Sequence, residues 1–428
     1  MESWTRRSRG SSPSSSSSHS SQSFTHSSRF RSHKFPSKST RNADSRLSNP
    51  KHNPAAGTGD DSDDAHHLQS TSSQVVELDE HNSSCLPSLV GTCPFMCPDG
   101  ERMQREQLRD LAVFERLNGN PRKSSTSLAV KKFCRTISMK SMNPSDVRPL
   151  QVLEDTLNYL LNLLDSTEHP FEVVHDFIFD RTRSIRQDLS MQNIMNDRAI
   201  HMYEDMVKFH IISLHKLQGC DGSPNASMHY LNMEQLTKAL VSLYNLYEAN
   251  RNSSSIYENE AEFRSFYVLH HLGSNSQPTG ESLSFWLCNV PSSIIKSKEM
   301  SFARRVLRFY RMGNYKRFIC TVAVSSSYLQ YCIIEPYINE IRALALLCVN
   351  HGGYKLHPYP LVQLSKLLMM KESDVESLCN VCGLETSTDE VGNKFLPAKQ
   401  MSFRHPRALK NYPLLGLECL QRIANDLF

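Results

Sequence analysis

From about residue 90 onward, apolar positions recur every three or four residues. Leu150, Leu153, Leu157, Leu160, Leu161 and Leu164 fall on one side of a 3.6-residue turn, which predicts an amphipathic helix that packs against a neighbour. The same period predicts helices over 101–114, 170–193, 197–217, 233–248, 261–272, 297–312, 315–330 and 335–349. Short Gly, Asn, Ser or Pro breaks separate them, as between stacked helix pairs. No set of fixed residues recurs, so the pattern predicts an all-α, irregular helical-repeat solenoid and not a regular tetratricopeptide array. After Pro360 the pattern changes. Residues 360–369 and 371–382 read as two short helices, followed by strands near 384–386 and 394–395 with a turn at Gly392-Asn393. Helix, helix, then a small β-hairpin predicts a terminal winged helix.

Residues 1–50 hold 19 serines and nine Lys/Arg against two acids, too little apolar surface to offset the entropy of ordering. An acidic patch follows, with Asp60, Asp61, Asp63 and Asp64. The expected organisation is a disordered Ser/Arg-rich tail over 1–90, N-terminal helices over 91–200, helical repeats over 201–359, and the winged helix with a C-terminal helix over 360–428. The net charge is +4, from 10 Lys+Arg against 9 Asp+Glu up to residue 88 and 38 against 35 after it. Bulk charge therefore identifies no partner, and only local clusters can. Twelve cysteines without dense pairing or a secretory leader fit a reducing compartment. The longest apolar runs, 318–324 and 343–349, fall far short of the roughly 18 residues that cross a bilayer. The expectation is a protein of the cytosol or nucleus without a membrane partner.

No Walker loop, dinucleotide glycine motif, nucleophile elbow or H-E-x-x-H pair occurs. His351-Gly352-Gly353 reads as a turn at a helix end. Cys93 with Cys97, and Cys379 with Cys382, have the spacing of half a zinc site, but each lacks a second pair at suitable distance and they lie 282 residues apart. The reading is a non-enzymatic chain with no cofactor, no metal and no small-molecule substrate.

Residues 91–101 form a proline-punctuated loop that opens a helix. Its Cys93, Met96, Cys97, Pro98, Glu101 and Arg105 match position for position the opening signature of the suppressor-of-actin-three/GANP family, which this chain resembles. The bland reading of the loop is an extended segment anchored on the helical body by Phe95 and Met96. The resemblance continues at Val130-Lys-Lys-Phe-Cys-Arg135, at Asp146-Val-Arg-Pro149, and at Phe179-Asp-Arg-Thr-Arg-Ser-Ile-Arg-Gln-Asp188. That last run includes Arg181, Arg183, Arg186, Gln187 and Asp188. Ile178, Ile185 and Leu189 form its buried seam, Arg183 and Arg186 share another face, and Asp180 can pair with Arg183. The preferred reading is an ion-paired groove that keeps helices in register, ahead of direct contact with nucleic acid.

A further match, residues 301–318, is similar to the family's PCI region. Phe302, Val306 and Phe309 form a core face, while Arg304, Arg308 and Arg311 line another beside Arg305, Lys316 and Arg317. Such a face beside aromatics can bind single-stranded RNA through phosphates and stacked bases, or it can simply be solvated, with Tyr310 and Tyr315 in the core. Helix 371–382 occupies the recognition position of the winged helix, but Glu372, Asp374 and Glu376 would repel DNA and suit pairing with another PCI subunit. Arg404, His405, Arg407 and Lys410 offer a basic margin.

The resemblance implies a subunit of transcription-and-export complex 2, in the nucleus at the envelope or pore, with a second PCI-domain subunit and a small acidic subunit as partners. The alternative is a PCI scaffold of another assembly, centrosomal or spindle-associated or like the proteasome lid. Long members of the family carry phenylalanine-glycine repeats and a helix that collects centrin. Here Phe24, Phe30 and Phe35 are not followed by glycine, and Leu414, Leu417, Leu420, Ile423 and Leu427 predict a short helix that folds back on the domain.

Overall fold

The computed structural model describes residues 89–136, 143–165, 168–218, 223–251, 257–273, 282–352, 357–405 and 412–415, all within the unit Glu80–Phe428. Residues 1–88 of the tail expected over 1–90, Arg407, Lys410 and the apolar series beyond residue 415 lie outside the described residues. Among the described residues no helix is long and apolar enough to cross a membrane.

Pro98 precedes α1 (Asp99–Leu108), and Arg109 ends it with a left-handed backbone, φ 57°. The amides of Arg109 and Asp110 return to the carbonyls of Glu106 and Arg105, the closure of a Schellman motif. The helix expected over 101–114 is thus six residues shorter at its end, and a 3-10 turn, Val113–Glu115, follows. Helix α2 (Leu150–Asn162) carries the leucine stripe, with Leu153, Leu157, Leu160 and Leu161 buried. Next come α3 (Phe171–Met191), α4 (Asp197–Gln218) and α5 (Ser223–Ala249). Helix α4 is apolar on most of its circumference and packs on α2, α3, α5 and α11 (Tyr328–Gly352), which makes it the axis of the core. The stack continues through α6 (Glu260–His270), α7 (Leu283–Asn289), α8 (Ser292–Ile295), α9 (Lys298–Arg311) and α10 (Tyr315–Ser325). One continuous cluster of buried apolar side chains runs through the whole series, and the architecture is the all-α, irregular solenoid that the periodicity predicts.

Several elements depart from expectation, α5 beginning ten residues before the expected 233. The pattern placed a helix break at 331–334, whereas the chain breaks at Ser326 and Ser327 and α11 runs unbroken through Pro336. Ser327 and Gln330 explain the start. Gln330 N–H donates to Ser327 Oγ at 3.3 Å, and Ser327 N–H donates to Gln330 Oε1 at 3.0 Å, a reciprocal capping box. Helices α7 and α8 escaped the periodicity because seven and four residues hold too few turns to show one.

The terminal segment contains β1 (Tyr359–Pro360), α12 (Leu361–Leu368), α13 (Glu372–Val381), β2 (Ser387–Thr388) and β3 (Lys394–Leu396). Both β1 and β2 pair antiparallel with β3. The helix, helix, hairpin order is as read; β1 was not anticipated. The first hairpin strand starts later than 384 because Gly383, at φ 74°, and Leu384 complete the closure of α13, with Leu384 N–H on Cys379 O at 2.9 Å. Arg342 of α11 ties this segment to the solenoid. It is fully buried, donating to the carbonyls of Leu368, Met369, Tyr412 and Pro413 at 2.7–3.3 Å. Burial pulls its pKa down to about 10.

Candidate functional site: a buried charge hub and two cationic surfaces

The 91–101 loop lies against 143–148 and hugs its backbone. Gly91 donates to Gln192 Oε1 at 2.8 Å, Thr92 to Pro144 O at 2.8 Å and Cys93 to Val147 O at 3.0 Å. A Cβ on Gly91 would stand 2.5 Å from Val147 O, so only glycine allows this approach. Cys93, Cys97 and Pro98 are buried and Met96 is half-buried, but Phe95 is 37% exposed. The anchor expected from Phe95 is therefore supplied by the two cysteines. Burial raises both thiols, that of Cys97 to about 12. Among the described residues no group of three or more His, Cys, Asp and Glu is placed to hold a metal.

Beneath the loop are two buried carboxylates. Glu115, fully buried, binds Arg105 of α1 and Arg181 of α3 and accepts the amides of Ala112 and Val130, both at 3.0 Å. Glu101 completes this corner by accepting Lys132 N–H at 2.8 Å. Asp188, also fully buried, binds Lys131 Nζ and Arg148 Nε, each at 2.7 Å. Arg148 further donates to Ser184 Oγ at 2.8 Å and to Met96 O at 3.3 Å. Positions 181, 184 and 188 share one face of α3, because three and seven residues are close to whole turns. That face therefore binds the 91–101, 130–135 and 146–149 segments together.

The neighbouring face of α3 is different. Arg183 does not pair with Asp180, which is engaged by Arg181 and accepts Phe133 N–H at 3.3 Å. Segment 131–135 lies alongside α3, held by Gln187 Nε2 on Cys134 O at 2.7 Å. It offers the Phe133 ring to Arg183, whose guanidinium carbon stands 3.8 Å from the ring centroid. Arg186 donates to Gln235 Oε1 of α5 and has no carboxylate partner among the described residues. The ion-paired groove expected here is instead a hydrogen-bonded, cation-stacked one.

The second surface is at α9 and α10. Phe302 and Val306 are buried and Phe309 half-buried, while Arg304, Arg305, Arg308 and Arg311 are exposed together with Lys316 and Arg317. None of the six is ion-paired among the described residues. Gly313, at φ 62°, turns the chain and Asn314 caps α10 by accepting Arg317 N–H. Arg317 approaches the Phe309 ring at 5.9 Å. Tyr310 donates to Glu340 Oε2 at 3.0 Å.

A family model described as the SAC3/GANP family matches residues 96–388. That span runs from Met96 in the loop, through both buried carboxylates and the α9–α10 surface, to β2. The chain belongs to the SAC3/GANP family. Among its relatives, SAC3 family protein B of Arabidopsis thaliana is 36% identical over 323 residues, 73% of this chain and 19% of the relative. SAC3 family protein 1 of Schizosaccharomyces pombe is 30% identical over 324 residues, 71% of this chain and 31% of the relative. Protein xmas of Drosophila melanogaster is 28% identical over 285 residues, 64% and 13% respectively. The chain thus spans less than a third of the length of these relatives.

In this SAC3/GANP chain α13 carries Glu372, Asp374 and Glu376, all half-buried, with Glu376 bound to Lys394 of β3 at 2.6 Å. Arg404 is exposed, and its amide donates to Cys382 O at 2.8 Å. Cys379 and Cys382 are buried, their thiols raised by burial to about 12 and 11. Sequence reasoning did not single out Glu115, Lys131 or Arg148 as site residues. Lys131 and Arg148 stand inside runs quoted for the resemblance; Glu115 carries no local signal beyond being an acid next to apolar Phe114.

Proposed function

We propose that this chain is a non-enzymatic scaffold subunit of a nuclear messenger-RNA export complex of the transcription-and-export complex 2 type. The observation that carries the reading is the family match over 96–388. In this proposal 201–359 and 360–428 form a PCI module whose last part is a winged helix that pairs with a second PCI subunit. A small acidic subunit completes the assembly, and the unpaired cations of α9 and α10 meet single-stranded RNA. The place of action is the nucleus, at the envelope or pore.

On the terminal segment Val381 is 45% and Met401 92% exposed, apolar side chains that a partner would cover. Removing 360–428 outright would strip Arg342 of its carbonyl partners, so pairing is better tested by Val381→Asp with Met401→Asp. Affinity purification of the parent from nuclear extract should recover a second PCI protein and polyadenylated RNA, and the double variant should lose the protein partner with an unchanged melting curve. Recovery of proteasome-lid or centrosomal subunits without polyadenylated RNA would overturn the reading.

A further inference from the structure

The groove between α3 and α5 has a volume of about 540 Å3 and is lined by Phe133, Arg135, Arg183, Arg186, Tyr203 and Gln235 among others. Its charges are unbalanced. Arg183 stacks on Phe133 and also faces Phe179 at 5.7 Å. Arg186 spends one nitrogen on Gln235, and its Nε, buried, reaches no acceptor. Arg135 is exposed with no ion pair among the described residues. The nearby carboxylates are already taken, Asp180 by Arg181 and Glu234 by Lys238 at 2.6 Å. Burial lowers the pKa of Arg183 and of Arg186; for Arg183 the charges of Asp180 and Glu234 act against this and that of Arg135 adds to it, and for Arg186 the Arg183 charge adds to it, against Tyr203. Three guanidiniums held near one another with no ion pair among the described residues disfavour the empty groove, and an anion entering it would relieve that.

A guanidinium fork matches a phosphate or a carboxylate. The space is too large for one small ion, and Met191 and Tyr203 give it an apolar wall beside the charges. Guanidinium planes next to aromatic and apolar surface are the means by which proteins hold unpaired nucleotides, phosphate on the cations and base on the wall. We infer that this groove binds a nucleotide of single-stranded RNA, with Arg135, Arg183 and Arg186 on its phosphates. The inference rests on the RNA-facing reading above but uses different elements, α3, α5 and the 131–136 segment, and not α9 and α10.

The test uses the full chain and a fluorescein-labelled oligouridylate of about 12 nucleotides, read by anisotropy across a salt series. Arg135→Glu and Arg183→Gln should each weaken binding about tenfold, and Arg183→Gln should lower the slope of log affinity on log salt by about one. An oligouridylate bearing 4-thiouridine should cross-link to the peptide that contains Phe133. Unlabelled oligoglutamate of equal charge should fail to displace the RNA. Arg135 stands exposed in a loop, so its variant keeps the test valid even where Arg183→Gln disturbs folding. Unchanged affinity in both groove variants, with binding abolished by reversing Arg304, Arg308 and Arg311, would overturn the groove while leaving the export reading standing. Displacement by oligoglutamate would overturn it in favour of an acidic peptide, and absence of RNA binding in the parent would overturn it together with the RNA role of α9.

Discussion

Replacing Asp188 by Asn keeps the shape of the side chain and removes only its charge. The carboxylate is fully buried and accepts Lys131 Nζ and Arg148 Nε at 2.7 Å and Arg148 N–H at 3.3 Å. Asn leaves two buried cations without a counter-charge and turns an amide NH2 toward one of them. Breaking a buried pair from one side costs about 3–5 kcal/mol. The two losses do not add fully, because Lys131 keeps Asp146 O at 2.6 Å and Arg148 keeps Ser184 Oγ and Met96 O. The expected cost is therefore about 4 kcal/mol in all, a large part of the roughly 5–15 kcal/mol that holds a folded chain. With a urea slope of about 3 kcal/mol per molar, the denaturation midpoint falls by roughly 1.3 M. Replacing Lys131 and Arg148 by Met together with Asp188 by Leu should restore much of it, since apolar substitution of an entire buried network is often neutral. Hydrogen exchange should show residues 91–98 opening first in Asp188→Asn, because Asp188 reaches that loop through Arg148. A midpoint within about 0.2 M of the parent would refute the claim that this charge network holds the signature segments together.

Gly91→Ala should cost about 1–3 kcal/mol by forcing Cβ against Val147 O, read as a lowered urea midpoint. Arg342→Lys cannot reach four carbonyls with one ammonium and should cost about 3 kcal/mol, with hydrogen exchange rising over 361–382 before it rises in α4. Burial lowers His210 and His270 each to about 3, below the unfolded value near 6.5. Above pH 6.5 both states are neutral there and the stability is fully present. As pH falls below 6.5 the unfolded chain takes up protons that the folded chain refuses, so stability drops by about 1.4 kcal/mol per pH unit for each histidine, or about 4 kcal/mol for the pair between pH 6.5 and 5. His215, raised through its bond to Glu335, acts the other way, its contribution present below the unfolded value and lost as pH climbs through the folded one. His175, His229 and His271, lowered by burial as well, add to the loss on the acid side; urea midpoints at pH 7 and 5 test the sum, and a His210→Gln, His270→Gln double variant should reduce the difference.

The helices that periodicity recovered are those with enough turns to show a period. Helix α2 repeats leucine at three and four, and α3 and α4 run more than 20 residues each, enough turns for the period to rise above composition. The true start of α11 escaped the periodicity because its Ser327-x-x-Gln330 box lies inside the stretch read as one helix over 315–330, while Pro336 lies within α11 without ending it. Arg342 was legible as a lone cation among Ile338, Ile341, Ala343, Ala345 and Leu346, all buried; a charge amid such neighbours must find acceptors. What no local pattern could supply was pairing over distance. Glu115 meets Arg181 across 66 residues and Lys131 meets Asp188 across 57, partners set by how segments fold back and not by spacing along a helix.

The two faces of α3 separate what holds the fold from what is left for a partner. Arg181 and Asp188 point inward and are ion-paired, Arg181 with Glu115 and Asp188 with both Lys131 and Arg148. Arg183 and Arg186, two and five residues after Arg181, turn away from those carboxylates and meet aromatic rings and an amide oxygen, with no ion pair among the described residues. The same arginine-rich run thus contains both kinds of residue, and composition cannot tell them apart. Removing a matched charge leaves its buried partner uncompensated and weakens folding, whereas removing an unmatched one relieves repulsion. Asp188→Asn should therefore lower stability while Arg183→Gln leaves it level or raises it, so a fall in the urea midpoint of Arg183→Gln as large as that of Asp188→Asn would show that both faces serve the fold alone.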